Sequence, residues 1–210
     1  METLQELGLA LGFATLSGLN LYLTVFVTSL ALRMNWLDLA VQHESLAVLS
    51  DPLVLGVSGT LFVIEFFADK IPWVDSFWDV GHTVVRPVGG VLLALAALGE
   101  MDPALGVVAG LLSGGATLAT HAMKAGSRLL INLSPEPFTN TAASVAEDGL
   151  VLGGLSLMAL QPAAAFFVFL VFCVLAIVVV TKLGSTIRRG LSVLKTRWFS
   201  KRSAMTTTER

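Results

Sequence analysis

Residues 7–32 read LGLALGFATLSGLNLYLTVFVTSLAL, 26 positions without a charge. At 1.5 Å per residue such a helix is about 39 Å long, and a bilayer core takes about 20 predominantly apolar residues. The stretch is therefore predicted to span a membrane, with length to spare for tilt. Met1–Leu7 ahead of it carries Glu2 and Glu6 and no base. The leading region of a secretory signal is positive, so this span is expected to stay attached.

The rest of the 210-residue chain is of the same kind: 55% hydrophobic, 13% charged, mean hydropathy +0.81. A soluble domain carries about a quarter charged residues. Half that figure cannot cover a globular surface, which excludes an ordinary soluble enzyme, and the hydrophobicity excludes disorder. A single cysteine, Cys173, excludes a disulfide framework. A net charge of −2, with the one basic cluster at the C-terminal end, speaks against nucleic acid as a partner.

Five further spans are predicted: Pro52–Phe67 running on into Asp69, Asp75–Leu98, Pro103–Leu130, Asn140–Leu160 and Pro162–Thr181. The expected fold is thus an all-α polytopic membrane bundle of six transmembrane helices in one domain, residues 1–181. Residues 34–51 form a short amphipathic connection with Trp36 as an interfacial anchor. The runs Gly89-Gly90, Ser113-Gly114-Gly115 and Gly153-Gly154 suit close helix packing.

Lys and Arg are retained on the cytoplasmic side. Eight of the 13 lie from Lys182 onward, so the C-terminus is expected in the cytoplasm and, with six spans, the N-terminus as well. Lys70 in the 2–3 connection and Lys124 and Arg128 before the 4–5 connection then also fall inside, while the base-free GEMDP connection falls outside; only Arg33 is misplaced. In Lys182–Arg202 the bases interleave with Ile187, Leu191, Leu194, Trp198 and Phe199, spaced as one helical face. This tail is either an interfacial helix held by anionic lipid or a topology signal alone. Residues 203–210 are expected to be disordered.

The remaining charges gather in two stretches, Glu65 to Pro87 and Thr120 to Asp148, both on the cytoplasmic half. Asp75, Asp79, His82 and Arg86 are offset by 0, 4, 7 and 11, one narrow helical stripe. Glu65 and Asp69 are four apart on the second span, with Lys70 next. His121, Lys124 and Arg128 stripe the fourth; Asn140, Ser144 and Glu147 stripe the fifth, beside Asp148. An ionised group at bilayer depth costs several kcal/mol, so four polar stripes are expected to face one another or a water-filled vestibule. Groups near helix ends, such as Lys70, Asp75 and Glu136, can instead reach the headgroups. Both stretches are hairpins turning at proline (Pro72; Pro135 and Pro137) and crossing in the same direction, compatible with a parallel pseudo-repeat.

The motifs SGLNLYLTVF, EFFADKIPWVDSFWD-x-x-H-x-x-x-RP, H-x-x-K-x-x-x-R and N-x-x-x-S-x-x-ED together resemble the domain-of-unknown-function 4126 family of small bacterial integral membrane proteins, over about residues 10–160. Its pattern residues match at Glu65, Ala68, Asp69, Lys70, Asp75, Asp79, His82, Pro87, His121, Lys124, Arg128, Glu147 and Asp148. The resemblance implies a bacterial cytoplasmic (inner) membrane location and carries no activity over.

Three functions remain open. The first is a proton-coupled carrier of a small solute or ion, with His82 and His121 suited to proton coupling and Arg86, Lys124 and Arg128 as anion partners. The second is a membrane enzyme acting on a lipid or isoprenoid phosphate, with a divalent metal on Asp75, Asp79 and His82 and with Glu147 and Asp148 opposite. Neither a phosphatase nor a CDP-alcohol transferase signature supports it. The third is a non-catalytic scaffold, in which the stripes are ion pairs that hold helices together. No cofactor other than that metal is expected, and the acids exceed the bases in the cluster by two.

Overall fold

The computed structural model describes residues 2–36, 44–132 and 137–208, with side chains as far as Thr186. Among the described residues it is all helix: α1 Glu2–Arg33, a 3₁₀ segment Glu44–Ser50, α2 Pro52–Ala68, α3 Pro72–Leu98, α4 Pro103–Ile131, α5 Pro137–Leu160 and α6 Pro162–Thr208. Five helices start at a proline, whose missing N–H falls where the helix has no acceptor for it. Asp51 and Asp102 cap α2 and α4, accepting from Leu53 N at 2.7 Å and Ala104 N at 2.9 Å.

Five helices are long and apolar enough to cross a membrane: residues Thr3–Arg33, Trp73–Leu98, Pro103–Ile131, Phe138–Leu160 and Pro162–Thr186. Helix α2 has 17 residues, about 26 Å of rise and the lower limit for a crossing. The membrane bundle read from the sequence is therefore present, with α2 as its short member.

Helix α1 is the axis of the bundle. It packs on every other helix, and 72% of its most apolar window is buried against 17–33% for the other four long helices. A helix surrounded on all sides is apolar on all sides, which is why its sequence shows no preferred face. Leu9, Phe13, Leu16, Leu19 and Leu23 form the core with Val151 and Met158 of α5 and Phe169 of α6. The two helices of each hairpin, α2–α3 and α4–α5, scarcely touch one another; α3 and α4 pack together, and α1 links all four. Leu92, Leu111, Leu112 and Phe167 point outward, as a lipid-facing surface requires.

The glycine runs divide. Gly89 packs on Leu21, Gly90 on Thr117, Gly114 on Val91, and Gly154 on Leu16 and Phe169, while Gly115 and Gly153 face open space. The amphipathic face expected over 182–202 rests on side chains from Ile187 onward, which lie outside the described residues. Over 203–210, where disorder is expected, the backbone of α6 is instead helical to Thr208, and residues 209–210 lie outside the described residues. Residues 37–43 of the connection, His43 included, also lie outside them, as do Pro135 and Glu136. Trp36 itself is exposed.

Candidate functional site

Within α1 the helix is interrupted at Asn20, whose backbone is extended (φ −150°, ψ 97°). An interruption leaves carbonyls of the first half and N–H groups of the second without helical partners, which in lipid costs several kcal/mol for each group left bare. The side chains around the break supply those partners. Asn20 caps the second half, its Oδ1 accepting from Leu23 N at 2.9 Å, while its Nδ2 donates to Asp148 Oδ1 at 3.0 Å. On the first half, Arg86 donates to Gly18 O (3.3 Å) and Lys124 to Leu19 O (3.2 Å). Thr117 and Thr120 donate to Ala14 O and Thr15 O. Positive groups thus sit at the C-terminal end of a half-helix, where its dipole favours them.

The polar stripes of α2 to α5 close on this point. Arg86, fully buried, bonds Glu65 Oε1 at 2.5 Å and stands 3.3 Å from Asp79 Oδ1. Lys124 bonds Asp69 Oδ2 at 2.9 Å, with Glu147 Oε2 at 3.5 Å and Glu65 Oε1 at 3.9 Å. Arg128 holds Glu147 with two parallel bonds, 3.2 Å and 2.7 Å, and donates to the Asn140 carbonyl and side chain at 2.7 Å and 2.6 Å. Asn140 Nδ2 donates to Asp69 O at 2.8 Å, tying α5 to the end of α2. The side chains in these ion pairs are 0–14% exposed. The stripes meet as expected, and they meet one another rather than open water.

The two histidines differ in kind. Arg86 NH1 lies 2.8 Å from His121 Nδ1, and arginine has only donors, so Nδ1 must be the bare nitrogen. His121 is held neutral, with Nε2 facing Thr83 Oγ1 at 3.2 Å. His82 instead donates from Nδ1 to Trp78 O at 2.7 Å and has the Tyr22 hydroxyl 2.9 Å from Nε2. A hydroxyl both donates and accepts, so His82 keeps both bonds whether neutral or protonated.

Other expected residues sit at the margin or go elsewhere. Lys70 turns back on its own helix, donating to Phe66 O at 2.8 Å over the Phe66 ring; partial burial holds its ammonium below the usual lysine value. Asp75 receives Asn132 Nδ2 at 3.3 Å, and Ser144 is fully buried, with no partner for its hydroxyl among the described residues. Asp75, Asp79 and His82 do not come together as a metal ligand set: His82 commits both ring nitrogens, and among the described residues no group of three His, Cys, Asp or Glu side chains is placed to hold a metal. With Lys70 turned away, six carboxyl groups face three bases. Among the described residues, Asp79 Oδ2 and one oxygen each of Glu65, Asp69 and Asp75 have no hydrogen-bond donor, and Asp79 Oδ1 has only its ion pair with Arg86.

The contribution of α1 is not visible in the charge pattern. Asn20 and Tyr22 of α1, with Thr117 and Thr120 of α4 that bond its carbonyls, belong to the site and are uncharged. The available signal was the close spacing of Gly18 and Asn20 inside an apolar run, since an isolated Asn in lipid needs a polar partner.

The chain belongs to the family described as Domain of unknown function (DUF4126), whose pattern matches residues 7–182. No curated protein and no solved structure matches it.

Proposed function

We propose that this family member is a proton-coupled carrier of a small solute or ion, working through the buried charged cluster. The observation that supports this reading is the interruption of α1 at Asn20, lined by the cluster's own bases. Carriers place their sites at discontinuous helices, because freed backbone dipoles there bind ions and the break allows the halves to move separately. A cluster built only to hold helices together has no use for broken backbone, nor for carboxylate oxygens left without donors. The excess of acids over bases favours added positive charge, and protons supply it without a metal site. His82 is the group that accepts and releases that proton, with Tyr22 following by rotating its hydroxyl. His121 stays neutral against Arg86.

The carrier sits in the bacterial inner membrane with six crossings, both termini cytoplasmic and anionic lipid at the basic tail. In a Cys173→Ser background, a cysteine at position 101 is expected to react with an impermeant thiol reagent only from outside, and one at position 200 only from inside. Labelling of position 101 from inside alone would overturn this topology.

Proteoliposomes loaded with a pH-sensitive dye test the function. On addition of candidate solutes, wild-type protein is expected to show a proton flux that changes between about pH 5 and pH 8, the range in which histidine changes charge. His82→Gln is expected to give a flat profile. A flat profile in both proteins, with stoichiometric metal in the purified sample, would favour the metal-dependent enzyme instead.

A further inference from the structure

The ammonium of Lys124 occupies an unusual position. Around it stand the Leu19 carbonyl freed by the break in α1 (3.2 Å), Asp69 Oδ2 (2.9 Å), Glu147 Oε2 (3.5 Å) and Glu65 Oε1 (3.9 Å). One carbonyl and three carboxylates, drawn from α1, the end of α2 and α5, surround a single positive point. Oxygen-only shells of this composition are what hard cations take, and a carbonyl at a half-helix C-terminal end adds partial negative charge. The shell also has unused capacity. Among the described residues, Glu65 Oε2 and Asp69 Oδ1 have no hydrogen-bond partner, in residues 0% and 2% exposed.

We propose that this is a monovalent-cation site with Lys124 as its tethered occupant. The ammonium supplies the charge that a sodium or potassium ion supplies at a discontinuous helix, and so excludes such ions from the wild-type protein. An ammonium and a potassium ion are similar in size, so the oxygens need move little when one replaces the other. The charged groups around this point are Glu65 and Asp69 near the end of α2, Asp75, Asp79 and Arg86 on α3, Arg128 on α4, and Glu147 and Asp148 on α5. Without Lys124 the carboxyl groups in this set outnumber its bases by four, which draws in an external cation. The site stands on geometry alone. Its consequence, that the coupling ion is the proton and not sodium, rests on the carrier reading.

The test is the thermal stability of purified protein in choline chloride, titrated at constant ionic strength with sodium, potassium or n-butylammonium chloride. Wild type is expected not to respond. Lys124→Ala is expected to melt lower in choline and to recover saturably, by roughly 5 °C, with a small cation that fills the vacated space. Lys124→Met, which fills the space without charge, is expected neither to match wild type nor to recover. If Lys124→Ala does not accumulate, the same recovery is expected of Lys124→Ala/Glu147→Gln, which removes one charge of each sign and keeps Leu19 O, Asp69 and Glu65. A Lys124→Met protein as stable as wild type, or an alanine variant indifferent to every cation, would overturn the site. Solute flux by wild-type protein that needs sodium would overturn the proton consequence and leave the site standing.

Discussion

Arg86→Ala is expected to yield no stable, monodisperse protein in mild detergent. The guanidinium is completely buried and holds four groups at once: Glu65, Asp79, the Gly18 carbonyl at the break in α1, and His121 Nδ1. Removing it leaves two carboxylates, a carbonyl and an imidazole nitrogen facing a cavity. Breaking a buried ion pair from one side costs about 3–5 kcal/mol, because the partner's charge is left uncompensated. Total stability is commonly about 5–15 kcal/mol, so this one loss is a large fraction of it. Arg86→Lys is expected to fail nearly as badly, since one compact ammonium cannot reach acceptors spread over a planar fork. Arg86→Met combined with Glu65→Gln is expected to recover part of the loss by removing charge of both signs. Size-exclusion profiles and melting temperatures of the three variants check this. A well-folded Arg86→Ala protein melting near wild type would mean that Arg86 is solvated, against the burial described above.

How far the sequence carried the fold can be seen helix by helix. Pro52, Pro103 and Pro162 mark the first residues of α2, α4 and α6, because a proline followed by a long apolar run has few places to sit other than a helix start. The stripes of α3 and α4 are legible because charge in lipid must find charge; the offsets of 4, 7 and 11 from Asp75 put Arg86 where it meets His121, 2.8 Å away. Helix α1 is the opposite case. From Leu7 to Leu32 it is uncharged, and most of it is buried, so no periodicity separates one face from another. The break at Asn20 is a backbone event that leaves almost no trace in a hydrophobicity pattern. Lys70 and Lys124 look equivalent in sequence, each a base beside acids on the cytoplasmic half. Their fates part because Lys70 follows the end of α2 and reaches back to Phe66 O, whereas Lys124 lies within α4, against α1. The same holds for His82 and His121: at Nδ1 the first meets an acceptor, Trp78 O, and the second a donor, Arg86.

Gly18→Ala is expected to be the most damaging substitution at the break in α1 outside the ion pairs, and a methyl group is all it adds. A Cβ at Gly18 would lie 1.8 Å from Thr120 Oγ1 and 2.5 Å from the backbone oxygen of Thr117. The threonine hydroxyl can rotate away, at the loss of its bond to Thr15 O, but a carbonyl of α4 can move only with its helix. So α1 must back away from α4 at the very place where Gly18 O and Leu19 O receive Arg86 and Lys124. Overpacking a fitted contact costs about 1–3 kcal/mol and more where backbone must shift, and here the stretched bonds to two buried cations add to it. With roughly 2–4 °C per kcal/mol for a chain of this size, the melting temperature is expected to fall by about 10 °C or more. Gly115→Ala, on the outward face of α4, is the control. It has nothing within 4 Å of its added Cβ, and alanine is the better helix former by about 1 kcal/mol, so its melting temperature is expected to hold or rise. Equal behaviour of the two variants would mean that α1 and α4 stand further apart, and then neither base could reach the carbonyls that the interruption frees.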